Sequence, residues 1–241
     1  MARHPGPQLH AAWIAAAAGL VPLLAIHVCW AISSWTDAIG PGFPYLDGST
    51  SISRACRQEP AVHVFRALVL PSATLAALTW WICAGWLGTA GLAGRRARRW
   101  VLGLGLVAAL FLVLYAAALG TRGDVYRLMR RYGIYVFFGG TAVLELIVTI
   151  LLSRARPPTL EPWVRHAMWA ACWLMLAAGP INIVASQVVD NDVVGNSLEW
   201  WFALAMIGYP LLLARVWARE GLRLELAHQP GMCTTLRDEG R

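Results

Sequence analysis

The chain has 241 residues, 58% hydrophobic and 14% charged, with a formal net charge of +7. Soluble domains carry roughly a quarter charged residues, so this deficit, spread over long apolar runs, excludes an ordinary soluble domain and points to an integral membrane protein. The cationic excess is all arginine, placed at the ends of the apolar runs; that placement fits membrane orientation and anionic headgroups, and not a nucleic-acid partner.

In chain order, residues 1–10 are a short polar start. A first span covers residues 11–32, enough to cross a core of ~30 Å at 1.5 Å per residue. It is too long for a signal-peptide core, carries His27 inside it and lacks a small-x-small cleavage site after it, so it reads as retained. Pro22 predicts a kink, and Trp30 and Trp35 suit the interface beyond. The longest loop, residues 33–59, holds the turn signals Gly40-Pro41-Gly42, Phe43-Pro44-Tyr45 and Asp47-Gly48. Glu59-Pro60 reads as a helix start with Pro60 at the first helical position.

The second span, residues 61–87, contains Pro71 and ends in a Trp80/Trp81/Trp86 interface belt. A Gly-rich linker, residues 88–99, closes on Arg95, Arg96, Arg98 and Arg99, the strongest cytoplasmic signal in the chain. The third span is residues 100–120, followed by a tight connection over 121–131. The fourth, residues 132–153, carries Glu145, and a second cytoplasmic turn covers 154–161. The fifth span, residues 162–187, is interrupted at Gly179-Pro180 and carries Asn182. A short acidic loop over 188–196 holds Asp190 and Asp192, and the last span is residues 197–217. The expected fold is therefore all-α: one polytopic bundle of six transmembrane helices over residues 1–220, both termini cytoplasmic, with a polar cytoplasmic tail at 221–241. One connection runs against the positive-inside rule: Arg122, Arg127, Arg130 and Arg131 fall on the outer side.

Polar groups inside a bilayer are costly and tend to face partners or water. His27, His63, Arg66, Asn182, Glu199 and the arginines of 121–131 all fall near the outer face, whereas Glu145 is deep and alone. Glu59, His63 and Arg66 are spaced i, i+4, i+7 and share a helix face. They read either as part of a headgroup site or as a polar helix end with a snorkelling arginine. Candidate ligand-binding residues are His27, Glu59, Arg66, Arg127, Arg130, Arg131 and Asn182. If the protein is an enzyme of lipid remodelling, by acyl transfer or hydrolysis, His63 is the base and Glu199 or Asp47 its orienter. Asn196-x-x-Glu199 also reads as a capping box. Glu145 reads either as an interhelical hydrogen-bonding group or as a proton-coupling or catalytic acid.

The five cysteines make no CxxC pair, and Cys56, the one cysteine expected in an outer loop, has no evident partner there. No third ligand joins His27 and His63, so no metal is expected, and no cofactor fingerprint is present. The expected partners are membrane lipids, anionic ones foremost, in a bacterial cytoplasmic membrane.

Phe43-Pro44-Tyr45-Leu46-Asp47-Gly48, followed by Glu59-Pro60 and His63-x-Phe65 entering a helix, resembles the first loop of the damage-regulated autophagy modulator (DRAM) family, which includes a Golgi protein of GPI-anchor lipid remodelling and the Sfk-type plasma-membrane proteins. Asn196-x-x-Glu199-Trp200 is similar to the family's Glu-Trp element. Leu46-Asp47 stands where the family has Ile-Ser, and Glu59-Pro60 reverses its usual order. The resemblance implies six helices with cytoplasmic termini and lipid-linked work; it implies no particular reaction.

Overall fold

The computed structural model of the chain describes residues 8–185 and 191–225. Among these residues six helices are long and apolar enough to cross a membrane: α1 (Ala11–Trp35), α4 (Ala61–Thr89), α5 (Arg95–Ala118), α6 (Asp124–Ala155), α7 (Pro162–Ala185) and α8 (Asn191–Glu220). The chain is an integral membrane protein, and its helices contact membrane lipid. Two short helices, α2 (Pro44–Asp47) and α3 (Ile52–Cys56), lie in the first loop, and two three-residue strands, β1 (Gln8–His10) and β2 (Arg223–Glu225), flank the bundle helices in sequence. Asp190, Cys233 and most of the expected tail lie outside the described residues.

The spans follow the apolar runs, but several helices extend past them. The connection expected over 121–131 is mostly helix, because α6 starts at Asp124 and places Arg127, Arg130 and Arg131 on its first two turns. Arginine is a good helix former, and Asp124 is favourably placed in the first turn. The arginines Arg95 to Arg99 likewise form the opening turns of α5, not a linker. At the other end of the chain α8 begins at Asn191, so Asn196 is inside the helix and the expected Asn196–Glu199 capping box is not made. Helix α4 starts at Ala61 with Pro60 as its N-cap, one position earlier than expected for the proline. Helix α7 runs unbroken through Gly179-Pro180 as far as Ala185.

Packing runs in chain order: α1 against α4, α4 against α5, α5 against α6, with α8 returning to lie on α1 and α7 on α8. Helix α6 packs along α5 but meets α8 at few points. Two buried clusters fill the bundle. One, at the end carrying β1 and β2, gathers Trp80, Trp86, Leu144, Tyr209 and Trp217; the other, at the end carrying the first loop, gathers Cys29, Tyr45, Phe65, Tyr115 and Trp200. The expected tryptophan belt therefore splits: Trp80 and Trp86 are core, whereas Trp81 is exposed. Trp86 donates to Glu220 at 2.7 Å and meets Trp217 edge-on, which satisfies its indole N–H inside the core.

The start and the end of the described chain meet. β1 pairs antiparallel with β2, Leu9 opposite Leu224, so residues that precede α1 and follow α8 are clasped at one end of the bundle. Nearby, Glu161 at the foot of α7 accepts from Arg215 and Arg219 of α8. These contacts, above all the hydrogen bond from Arg215, hold the Glu161 carboxyl below its usual range.

Candidate functional site: a cationic cleft above an apolar chamber

The first loop has no sheet to satisfy its carbonyl groups, and side chains of α1 and α8 do so instead. Asn196 donates to the Gly48 carbonyl at 2.9 Å, Trp200 to Thr50 at 2.9 Å and Trp201 to Tyr45 at 3.0 Å. From α1, Ser33 donates to Ala55 in the loop, and Cys29 donates to Ala61 where the loop enters α4. His27 bonds the Leu23 carbonyl through Nδ1, which must carry the proton, leaving Nε2 to accept from the Tyr45 hydroxyl at 3.0 Å. Its ring also stacks on Tyr45. His27 is therefore a loop anchor. Asp47 serves the same loop, taking the N–H groups of Ser49 and Phe43; the Ser49 backbone bond is the main cause of its lowered pKa.

Held this way, α3 lies against the start of α8. The Glu199 carboxyl faces the backbone N–H groups of Ser53 and Ile52 in the first turn of α3. Cys56, at the other end of α3, is fully buried, and burial pushes its thiol well above the usual value. The loop cysteine is thus core, in contact with Cys29, and the two are free thiols.

Beside α3 an open cleft of about 750 Å³ separates α6 from α8. Arg57, Arg127, Arg130 and Arg131 line it, with Asn182 of α7 and Glu199 of α8. The spacing 127, 131, 134, 138 sets two arginines, Ile134 and Phe138 on one face of α6. The cleft is therefore cationic at its rim and apolar below, where Phe138 stacks on Phe202 of α8 at 5.0 Å. Two of its arginines have work inside the protein. Arg127 pairs with Asp124 at 2.6 Å, both largely exposed, and Arg130 donates to the carbonyls of Ala118 and Thr121, closing the end of α5. Arg57 and Arg131 have no ion pair or hydrogen bond among the described residues. The Asn182 side-chain oxygen is buried and without a donor.

Below the cleft lies an apolar chamber of about 80 Å³ between α1, α4, α5, α6 and α8. Glu199, Tyr115, Ile134 and Phe138 line both spaces. Glu145 is at the far end, fully buried, with neither carboxylate oxygen bonded. Its backbone carbonyl accepts from the Tyr209 hydroxyl, which leaves Thr149 to donate to Tyr209 at 2.8 Å.

The sequence candidates thus separate into two groups. Arg127, Arg130, Arg131, Asn182 and Glu199 share the cleft. Glu59, His63 and Arg66 line neither the cleft nor the chamber. His63 and Glu59 are exposed and 4.0 Å apart, and Arg66 turns to the Leu119 carbonyl and the Thr121 hydroxyl. His63, Glu199 and Asp47 therefore occupy three surroundings: the exposed face of α4, the junction of cleft and chamber, and the first loop. Among the described residues no group of three or more His, Cys, Asp or Glu side chains is placed to hold a metal ion. Arg57 went unread in the sequence. Nothing in its local sequence sets it apart from other loop arginines; only the packing of α3 against α1, α4 and α8 brings it to the cleft.

Compared with protein-family models, with curated proteins and with solved structures, the chain matches none.

Proposed function

We propose that the protein binds an anionic membrane lipid or lipid-linked ligand in the cleft between α6 and α8. The carrying observation is the meeting of four arginines at the rim of a cleft whose lower walls are apolar. Phosphate or carboxylate on a headgroup is matched by guanidinium groups, and acyl chains by the walls around Phe138 and Phe202. Arg57 and Arg131, which have no protein acceptor among the described residues, are the headgroup donors in this reading. The Asn182 oxygen, buried without a donor, takes a ligand hydroxyl. The end with the first loop faces outward from a bacterial cytoplasmic membrane. The opposite end, with Arg95, Arg96, Arg98, Arg99, Arg154, Arg156 and Arg165, faces the cytoplasm, which agrees with the positive-inside rule. The resemblance to the DRAM family points to the same lipid-linked work, and two of the stretches that carry it, Phe43–Gly48 and Asn196–Trp200, are joined by the hydrogen bond from Asn196 to the Gly48 carbonyl.

The test is native mass spectrometry of the full chain taken from bilayers of mixed phosphatidylglycerol and phosphatidylcholine. Wild type retains phosphatidylglycerol in preference, and Arg57→Ala with Arg131→Ala loses that preference while keeping the thermal transition. Unchanged anionic lipid in the double variant refutes the reading.

A further inference from the structure

Glu145 and the chamber it lines are not used by lipid binding in the cleft. Both carboxylate oxygens lack a partner, and so does the Thr141 hydroxyl one turn earlier on the same face of α6. Two prolines add acceptors to the same walls. Pro22 in α1 and Pro210 in α8 have no N–H, so the carbonyl groups of Ala18 and Met206, four residues earlier, lose their helical donors. All four of these residues line the chamber. An apolar space with one unpartnered carboxyl, one unpartnered hydroxyl and two carbonyls released from their helices is a place for water, since inside a membrane freed groups must be satisfied locally. The volume of about 80 Å³ holds several waters, each needing ~10–15 Å³. The lining runs from Ile134 to Glu145 on α6, about 16 Å at 1.5 Å per residue, so the waters form a narrow file.

We propose that this chamber holds a file of water through which Glu145 exchanges its proton with the cleft by way of Glu199. No arginine, lysine or histidine lines the chamber, so no cation there balances an ionised Glu145. The titratable groups facing Glu145 are Tyr209 from α8 and Cys172 from α7; Cys83 of α4 faces Tyr209, and α1 contributes none to the lining. At the cleft end Glu199 and Tyr115 face Arg57 and Arg130 across the junction. In the exchange the O–H bond of the Glu145 carboxylic acid breaks as a new one forms on the adjacent water. The excess proton passes along the file to the Glu199 carboxylate and leaves it for water in the cleft; reprotonation of Glu145 runs the same steps backwards. The exchange does not depend on which ligand occupies the cleft.

Infrared spectroscopy of the full chain in lipid bilayers tests this. A carboxylic-acid carbonyl band that disappears in Glu145→Gln is the expected signature, and transfer to heavy water shifts that band while core backbone amides remain unexchanged. Glu199→Gln slows the shift. A Glu145 band that stays unshifted as long as the core amides do, or that exchanges at the same rate in Glu199→Gln, overturns the proposal. Should Glu145→Gln fail to fold, a hydrophobic carbodiimide applied to wild type supplies the second readout. It reacts with protonated carboxyl groups, so a mass adduct on the peptide containing Glu145 supports the exchange site. Absence of the adduct where lipid-exposed carboxyl groups are labelled overturns it.

Discussion

Asn196 shows how one side chain can hold a loop. Its amide donates to the Gly48 carbonyl at 2.9 Å across the gap between α8 and the first loop. Replacing it with alanine removes a neutral hydrogen bond at a half-buried site, a loss of about 1 kcal/mol, and leaves the carbonyl to water. The expected result is faster backbone hydrogen exchange over residues 44–50 with α4 to α6 unchanged. Gly48 is a stricter case. It has φ +57°, and a Cβ there would collide with the Val193 backbone. Gly48→Ala combines left-handed strain of about 1–2 kcal/mol with that collision. It should lower the thermal midpoint more than Asn196→Ala does, and equal midpoints for the two variants would show that α8 yields to the loop. Neither role could be read from the sequence. Asn196 sits three residues before a glutamate and reads as a cap, and nothing local says that a loop about 150 residues earlier needs the indole N–H groups of Trp200 and Trp201.

At the scale of elements, apolar length located the six spans well and their ends poorly. A hydropathy window stops where charges begin, but arginine keeps a helix going, so α5 and α6 begin several residues before their apolar runs. That difference moves Arg127, Arg130 and Arg131 from a loop onto a helix face and makes the cleft possible. The contact of α7 with α8 is electrostatic at its foot, where Glu161 meets Arg215 and Arg219. The folded Glu161 carboxyl titrates below its unfolded value, so its contribution is present above the ordinary glutamate range near pH ~4.3 and is lost as pH falls through the lower folded value. A Glu161→Gln variant should show a thermal midpoint that depends less on pH over that acid interval than wild type does. Parallel curves for the two proteins would assign the acid sensitivity elsewhere. At the loop end, Arg130→Ala should expose the carbonyls of Ala118 and Thr121 and speed exchange at the 119–123 connection, read by the same hydrogen-exchange measurement.

For the molecule as a whole, the class of protein was plain from composition, whereas the lining of the candidate cleft was half legible. Five of the expected polar residues share the cleft; His27 and Arg66 proved to be structural donors or acceptors, because a polar atom near a membrane surface can serve a ligand or a neighbouring carbonyl and sequence does not distinguish the two. The pairing of β1 with β2 was not anticipated at all, since three-residue strands leave no periodic pattern to read. It is simple to test. Leu9→Cys with Leu224→Cys places thiols at paired positions, and mild oxidation should join β1 to β2 within one molecule; cross-links only between molecules would contradict the pairing.

The same clasp bears on how the protein is made. β1 leaves the ribosome before α1 and β2 after α8, so the clasp can form only when the helices between them have been threaded. It can form only if the number of crossings is even, because an odd number leaves the two strands on opposite sides of the bilayer. The pairing of Gln8–His10 with Arg223–Glu225 is thus a parity check on insertion: a chain that skips one helix leaves the two strands on opposite sides and cannot close it.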